Sequence, residues 1–175
     1  MSKITYSPER KQDHAAIYEM IEMAFQTAEV KNGTEQTLYQ EIKDSDKYIP
    51  ELSIVALAGE EVIGHILASK AYLRHQDSTQ EVLMIAPLAV KQELRKQGVG
   101  SQLLKLALQK ARDLNYPAIF LLGKIEFYQR FGFISARKFN LNFYQAIPEH
   151  LLDNFMVLPL NPTSFAKLQG TLYLD

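Results

Sequence analysis

The chain has 175 residues and a mass of 20.0 kDa, a size that suits one domain over residues 1–175 with a full hydrophobic core. A formal net charge of -1 leaves no global electrostatic case for nucleic acid or an anionic membrane as partner, and the absence of cysteine excludes disulfides and protein thiolate chemistry. Because we find neither a signal peptide nor a window long enough to span a bilayer, we expect a cytoplasmic protein.

The first part of the chain predicts two helices between short strands. Apolar residues recur at helical spacing after Asp13, which we place at the N-cap, and Asn32-Gly33 and Thr34 separate this helix from the next. A polar turn at 59–61 joins two β-rich segments into a hairpin, and residues 74–80 read as a loop. The predicted elements are a strand over 3–7, helices over 13–25 and 35–43, and strands over 52–58 and 62–73.

The second part predicts a βαβ unit followed by short elements. The strand over 82–90 is apolar throughout, which suits burial on both faces, and Pro87 predicts a bulge or a divergence from one neighbour. A helix from Val99 to about Asn115 and a strand over 118–122 complete the unit, whose strands should be parallel. A short helix over 125–130 and strands over 139–144, 155–160 and 171–174 follow. The whole is mixed α/β with one central sheet.

The most informative segment is the turn between the strand ending at Val90 and the helix beginning near Val99. It has the form Arg-x-x-Gly-x-Gly at Arg95–Gly100, and its bare N–H groups at a helix start suit a phosphate or pyrophosphate. It is not a Walker loop, since Ser101-Gln102 follows the second glycine, and it lacks the third glycine of a dinucleotide fingerprint. The alternative is that both glycines only shape a tight turn, with Arg95 and Lys96 solvated.

Arg95–Ser101, after Leu88-Ala89-Val90, resembles the acetyl-CoA-binding motif of the GNAT superfamily of N-acetyltransferases. Phe127–Phe133 is similar to the superfamily's second signature, a short helix with a tyrosine that ends in Phe-Gly-Phe, and 62–67 with 86–90 resemble its YhbS-like subgroup. The resemblance covers nearly the whole chain. It implies the GNAT fold, a central, mostly antiparallel sheet with splayed parallel strands around a βαβ unit.

The resemblance also implies acetyl-CoA as co-substrate and no metal, with the pantetheine arm on the strand ending at Val90 and the pyrophosphate on the turn. The residues implied to bind it are Leu88, Ala89, Val90, Arg95, Lys96, Gln97, Gly98, Val99, Gly100 and Ser101. The expected reaction acetylates a primary amine of a small molecule or peptide by direct attack in a ternary complex, since no cysteine is available to carry the acetyl group. The alternative is a non-catalytic acyl-CoA sensor or interaction module on the same fold.

For proton transfer, the resemblance assigns the acid to Tyr128, which would protonate the leaving thiolate. The alternative is that Tyr128 is only an aromatic residue of the core. Against this alternative, helical spacing should not bury the adjacent residues Phe127 and Tyr128 equally. Glu81 is our candidate base, with Glu126 as a second, although either also reads as a solvated surface acid. His65 has a suitable pKa, yet a lone strand histidine is usually structural. The four histidines show no metal-site spacing.

The acceptor amine is the least defined partner. Position alone suggests Phe25, Glu29, Tyr39 and Tyr72 as its lining, and core packing or solvation explains them equally well. The stretch Gly123-Lys124-Ile125-Glu126 departs from the subgroup's usual Gly-Asp-Pro or Gly-His-Pro, so the selectivity of relatives does not carry over. Edge strands near the C-terminus would allow a homodimer.

Overall fold

The computed structural model describes residues 2–28 and 33–175. The chain groups into two compact units, the first made of Met1–Ser69 and Ala86–Lys110 and the second of Lys70–Ile85 and Ala111–Asp175. Two long strands and one helix begin in one unit and end in the other: β3 (Glu61–His75), β4 (Ser78–Val90) and α3 (Val99–Asp113).

The first unit contains the strand order β1-β2-β3-β4, with β1 at Ile4–Pro8 and β2 at Ser53–Ala58. Strands β1 and β2 are antiparallel, as are β2 and β3, whose register shifts between Ala56 and Leu57. The helices α1 (His14–Gln26) and α2 (Glu35–Lys43) place apolar side chains in one buried cluster with residues of β2, β3 and β4. The amphipathic spacing along both helices therefore forms this part of the core.

Gly64 lets α3 approach β3 closely. A Cβ at this position would lie 3.1 Å from side-chain carbons of both Val99 and Leu103, so a larger residue would push the helix away. The glycine thereby fixes where α3 begins to pack on the strand. His65, the next residue, projects to the other face of β3, because successive side chains in a strand alternate.

The second unit contains the remaining elements, which are β5 (Ala118–Leu122), α4 (Ile125–Tyr128), β6 (Ile134–Ser135), β7 (Leu141–Phe143), β8 (Phe155–Pro159), α5 (Pro162–Phe165) and β9 (Gly170–Tyr173). The hairpin of β3 and β4 continues here into the order β3-β4-β5-β8-β6, while β9 pairs with the end of β3 and β7 pairs with β9. Strand β5 is parallel to β4, with Leu83–Ile85 opposite Ile119–Leu121, so the predicted βαβ unit is confirmed.

The mixed α/β fold class is confirmed, and several local predictions need correction. Residues 74–80 are not a loop, because β3 runs to His75, β4 begins at Ser78 and Gln76 at φ 51° helps to close the turn. Asp13 occupies the N-cap position of α1 as predicted, but its carboxylate accepts hydrogen bonds from Arg10 and none from the N–H groups of the helix. Part of the predicted strand 139–144 is 3₁₀-helical, and β6 and α5 are additional. The Ala86–Pro87 peptide bond is cis.

Candidate functional site

The turn after β4 presents an open row of backbone donors. A 3₁₀ helix at Gln92–Leu94 leads into it, Lys96 and Gly98 have φ of 61° and 86°, and the first bond of α3 runs from Gln102 N to Gly98 O at 3.0 Å. Among the described residues, none of the backbone N–H groups from Lys96 to Ser101 meets an acceptor in good hydrogen-bond geometry. Such donors, with the positive end of a fifteen-residue helix behind them, can hold a phosphate or pyrophosphate.

The Arg95 side chain is tied to the end of α1. Its guanidinium donates to the Ala24 carbonyl at 2.6 Å, to Thr27 Oγ1 at 3.1 Å and to the Val90 carbonyl at 3.3 Å. A cation at the C-terminus of a helix complements its unpaired carbonyls and its dipole. Arg95 therefore connects the phosphate-binding turn to α1, an interaction that sequence reasoning missed because the residues are about seventy positions apart.

The last residues of β4 combine burial with partial exposure. Ala89 is buried in the cluster under α1 and α2, whereas Leu88 and Val90 are half-buried. The Lys91 N–H donates to the Ile63 carbonyl at 2.9 Å, which fixes the register of β4 against β3 at this end of the hairpin. Leu88 and Val90 remain the predicted backbone contacts of the pantetheine arm.

Tyr128, the predicted acid, is held by aromatic rings and by Gly123. Its ring packs edge-to-face on Phe127 at 4.9 Å and on Phe133 at 5.7 Å between centroids. A Cβ on Gly123 would lie 2.4 Å from Tyr128 Cε2, so only glycine leaves room for the ring. Asn154 fixes Gly123 by accepting from its N–H at 3.0 Å and donating to its carbonyl at 2.9 Å.

The Tyr128 hydroxyl makes no hydrogen bond within the part of the chain that the structure describes. Burial raises the pKa of Tyr128, so the phenol keeps its proton at neutral pH and is available as a donor. Phe127 and Tyr128 are both half-buried, and the expectation that they differ in burial stays a prediction.

A second polar group, which sequence reasoning missed, surrounds Glu9 at the end of β1 and is here called the Glu9 cluster. The Glu9 side chain is only 1% exposed. Its carboxylate contacts six side chains, those of His14, Tyr39, Lys43, Tyr48, Ser53 and His65. Burial alone would raise the pKa of Glu9, but hydrogen bonds from His65, Lys43 and Ser53 outweigh it and hold the pKa well below its usual range. Glu9 is therefore a buried carboxylate.

The other predicted residues are spread over the two units. Glu81 is exposed at the start of β4 and accepts a hydrogen bond from Tyr116 at 2.9 Å, and Glu126 is exposed on α4. Phe25 and Tyr72 are half-buried, and Glu29 lies outside the described residues. Tyr39 has no exposed surface and donates to Glu9, so it belongs to the core of the first unit. The roles predicted for these residues stay predictions.

Two further findings concern the described residues alone. No group of three or more His, Asp or Glu side chains in 2–28 and 33–175 has an arrangement that would hold a metal ion. No helix in these ranges is long and apolar enough to cross a bilayer.

Known proteins similar to this chain are acetyltransferases of one family. A sequence model of the Acetyltransferase (GNAT) family matches residues 14–133. The uncharacterized N-acetyltransferases YjhQ and YhbS of Escherichia coli strain K12 are 29% identical over 99 residues and 34% identical over 91 residues. These alignments cover 57% and 51% of this chain but only 55% and 53% of the relatives, so the matched part spans about half their length.

Solved structures match over more of the chain. Escherichia coli YhbS in complex with CoA superposes with a TM-score of 0.84 at 24% identity, covering 98% of this chain and 89% of that one. A GNAT family acetyltransferase from Brucella melitensis in complex with acetyl-CoA gives 0.79 at 23% identity, covering 100% and 97%. At these identities the superpositions show a shared fold.

Proposed function

This chain belongs to the GNAT family of acetyltransferases, and from that premise we propose that it transfers the acetyl group of acetyl-CoA to a primary amine of a small molecule or peptide. The observation that carries the proposal is the row of open N–H groups from Lys96 to Ser101 at the head of α3. They offer the pyrophosphate of acetyl-CoA several donors at once, in backbone that Gly98 bends without strain. The complexes of two structural neighbours with CoA and acetyl-CoA support this choice of donor.

The proposed reaction is direct attack. The amine nitrogen forms a bond to the thioester carbon, the bond from that carbon to sulfur breaks, and the sulfur leaves as a thiolate. Tyr128 gives the thiolate its phenolic proton and recovers one from water. The ammonium form of the acceptor loses two protons overall, so the products are an amide, CoA thiol and one proton released to solvent. Tyr128 fits the role of the acid that protonates the thiolate, because its hydroxyl is protonated and has no hydrogen-bond partner in the described residues.

A second candidate function is an acyl-CoA sensor that binds the thioester without turnover. One observation favours it: burial raises the pKa of Tyr128 further above that of a thiol, about 8.5, which weakens the driving force for the proton transfer. The two functions predict the same binding of acetyl-CoA. They differ in whether an acceptor amine causes CoA to be released.

The test combines calorimetry of acetyl-CoA binding with thiol release over a panel of polyamines, aromatic alkylamines, free amino acids and short peptides with a free N-terminus. The matched control for each amine is its N-acetylated form, which cannot accept a second acetyl group in the same way. An acetyltransferase binds acetyl-CoA and releases thiol with at least one free amine and not with its acetylated control. Binding without any amine-dependent release identifies the sensor, and absence of binding contradicts both functions.

A further inference from the structure

His65 is the member of the Glu9 cluster whose hydrogen bonding is incomplete. Its ring is completely buried, with Nε2 3.0 Å from Glu9 Oε2 and 2.9 Å from Ser53 Oγ. Tyr39 packs edge-to-face on the ring at 5.2 Å. Among the described residues, His65 Nδ1 is the buried side-chain polar atom without a hydrogen-bond partner. Such an atom in a folded protein calls for an explanation, and a catalytic role is one of the recognised ones.

The partners of Nε2 determine the tautomer of His65. The Glu9 carboxylate can only accept, so the short contact to Nε2 requires a proton on that nitrogen. Burial lowers the pKa of His65, and the Glu9 hydrogen bond opposes this effect only in part, so the ring is neutral at pH 7. A neutral ring with its proton on Nε2 presents a lone pair at Nδ1. This is the arrangement of a histidine base whose orientation is fixed by a carboxylate.

The backbone register brings His65 beside the predicted thioester-binding segment. The Lys91 N–H bonds to the Ile63 carbonyl, and in an antiparallel pair each step along one strand is matched by a step back along the other. His65 therefore lies opposite Ala89. The Ala89 carbonyl is 3.3 Å from the Cβ position of Gly64, which agrees with this register. Ala89 and Tyr39 belong to the same buried cluster, so His65 and Ala89 face the side covered by α1 and α2.

We propose that His65 is the general base of the acetyl transfer and that Glu9 is its positioning residue. This inference rests on the proposed function. As the amine nitrogen bonds to the thioester carbon at the Leu88–Val90 segment, its proton passes to Nδ1, directly or through one water, and the imidazolium is stabilised by Glu9. After the amide forms, Nδ1 gives up this proton, while Tyr128 protonates the thiolate and takes one proton back from solvent, so the two transfers cancel. The one proton released for each amide is the proton that the acceptor ammonium loses to become the attacking amine.

The charged and titratable groups around His65 support an orienting role for Glu9. His14 from α1, Lys43 from α2, Tyr48 from the following loop and Ser53 from β2 all contact the carboxylate, and the charge of Glu9 acts on nearby Asp13. Lys43 neutralises Glu9 without a proton from His65, which leaves the imidazole free to be a base. The same ammonium group disfavours a divalent cation here, because two positive charges would compete for one carboxylate.

The first experiment measures the tautomer directly, on the wild-type protein and without any acceptor. Two-bond ¹⁵N–¹H correlation spectra of ¹⁵N-histidine-labelled protein at pH 7 distinguish neutral rings protonated on Nε2 from those protonated on Nδ1 and from imidazolium. We expect His65 to be neutral with its proton on Nε2. A proton on Nδ1, or an imidazolium at pH 7, would overturn the inference, since either removes the lone pair.

The second experiment uses acetyl-CoA and the amine of the panel that the wild type acetylates at the highest rate. The variant His65→Gln should lower kcat by roughly 10²–10⁴-fold, keep acetyl-CoA affinity and lose the rise of kcat with pH that the wild type shows below about 6.5. The matched control, His75→Gln, replaces an exposed histidine and should keep the wild-type profile. Glu9→Gln provides a second variant. Its rise in kcat should move to lower pH, because the imidazolium of His65 loses its countercharge.

The outcomes separate this inference from the proposed function. If the wild type turns over no amine, the proposed function fails and the assignment of a base fails with it. If the wild type is active and folded His65→Gln retains its rate and pH profile, the assignment of His65 alone is overturned. If His65→Gln does not fold, the profile of Glu9→Gln and the tautomer decide, and a wild-type profile in Glu9→Gln contradicts the inference.

Discussion

Replacing Lys43 by methionine tests whether the Glu9 cluster contains a buried charge pair. Lys43 is 9% exposed and its ammonium contacts Glu9, whose side chain is 1% exposed. Methionine keeps an apolar stem beside Tyr48, over which the Lys43 ammonium lies 4.6 Å from the ring centroid, while the charge is lost. Glu9 would then remain buried with no permanent cation in contact among the described residues.

The expected loss follows from the cost of leaving a buried charge unpaired. Removing one partner of a buried ion pair typically costs about 3–5 kcal/mol. Hydrogen bonds from four other side chains and the contact with His14 remain on Glu9, so we expect the lower end, about 3 kcal/mol. In a protein of this size 1 kcal/mol corresponds to about 2–4 °C in Tm, so Tm should fall by about 6–12 °C.

The loss should also depend on pH in the variant. The positive charge of Lys43 is one of the causes that lower the pKa of His65, after burial, so in the variant the folded state takes up a proton on His65 more readily as pH falls. The lowered pKa of His65 gives stability that is present above the unfolded pKa of about 6.5 and is lost as pH falls, and the variant loses less of it than the wild type. The variant should therefore be closer to wild type at pH 6 than at pH 8. Glu9 acts in the same direction further into acid, because its lowered pKa gives stability that is present above about pH 4.3 and that Lys43 helps to create.

Urea unfolding followed by circular dichroism at pH 6, 7 and 8 measures these quantities. The matched control is Lys105→Met on the exposed face of α3, which should change the free energy of unfolding by less than about 0.5 kcal/mol. A loss in Lys43→Met as small as that of Lys105→Met would refute the buried pair. A loss that does not depend on pH would refute the proton uptake.

Three further predictions concern the acid, its support and the turn. Tyr128→Phe should lower kcat by roughly 10²–10⁴-fold with little change in acetyl-CoA affinity by calorimetry, and unchanged turnover would remove Tyr128 from the mechanism. Gly123→Ala should lower kcat too, because the new Cβ would lie 2.4 Å from the Tyr128 ring, and a wild-type rate would show that the ring position is unimportant. Arg95→Met should lower the free energy of unfolding by about 1 kcal/mol, because the hydrogen bonds from Arg95 to α1 are lost. The salt dependence of acetyl-CoA binding should stay as in wild type, and a shallower dependence in the variant would mean that Arg95 contacts phosphate.

Local patterns predicted most of the elements of this fold. The helix over 35–43 and the strand over 118–122 were predicted with their observed bounds, because a polar cap or turn interrupts an apolar pattern at each end. The hairpin turn at Gln76 and Asp77 was missed because the ends of both long strands are polar, and a two-residue turn between polar strand ends looks like a loop in sequence. Strand β6 has only two residues, too few for any alternation to appear.

The candidate site was predictable only where its residues are neighbours in sequence. The turn at Arg95–Ser101 and the helix with Tyr128 are continuous motifs. The Glu9 cluster joins residues up to 56 positions apart, and Glu9 itself follows a proline in what reads as a polar strand end. No local pattern shows that its carboxylate is buried or that His65 has one free nitrogen, because both facts depend on how β1, β2 and β3 pair.

Transfer of the acetyl group from acetyl-CoA to an amine can be followed with acetyl-CoA that carries a radiolabelled acetyl group. The experiment counts label in the acceptor against CoA thiol formed, in the presence and absence of the amine. We expect one labelled amide for each thiol and almost no thiol without amine. Binding of acetyl-CoA with no label in any amine of the panel would contradict acetyl transfer by this protein.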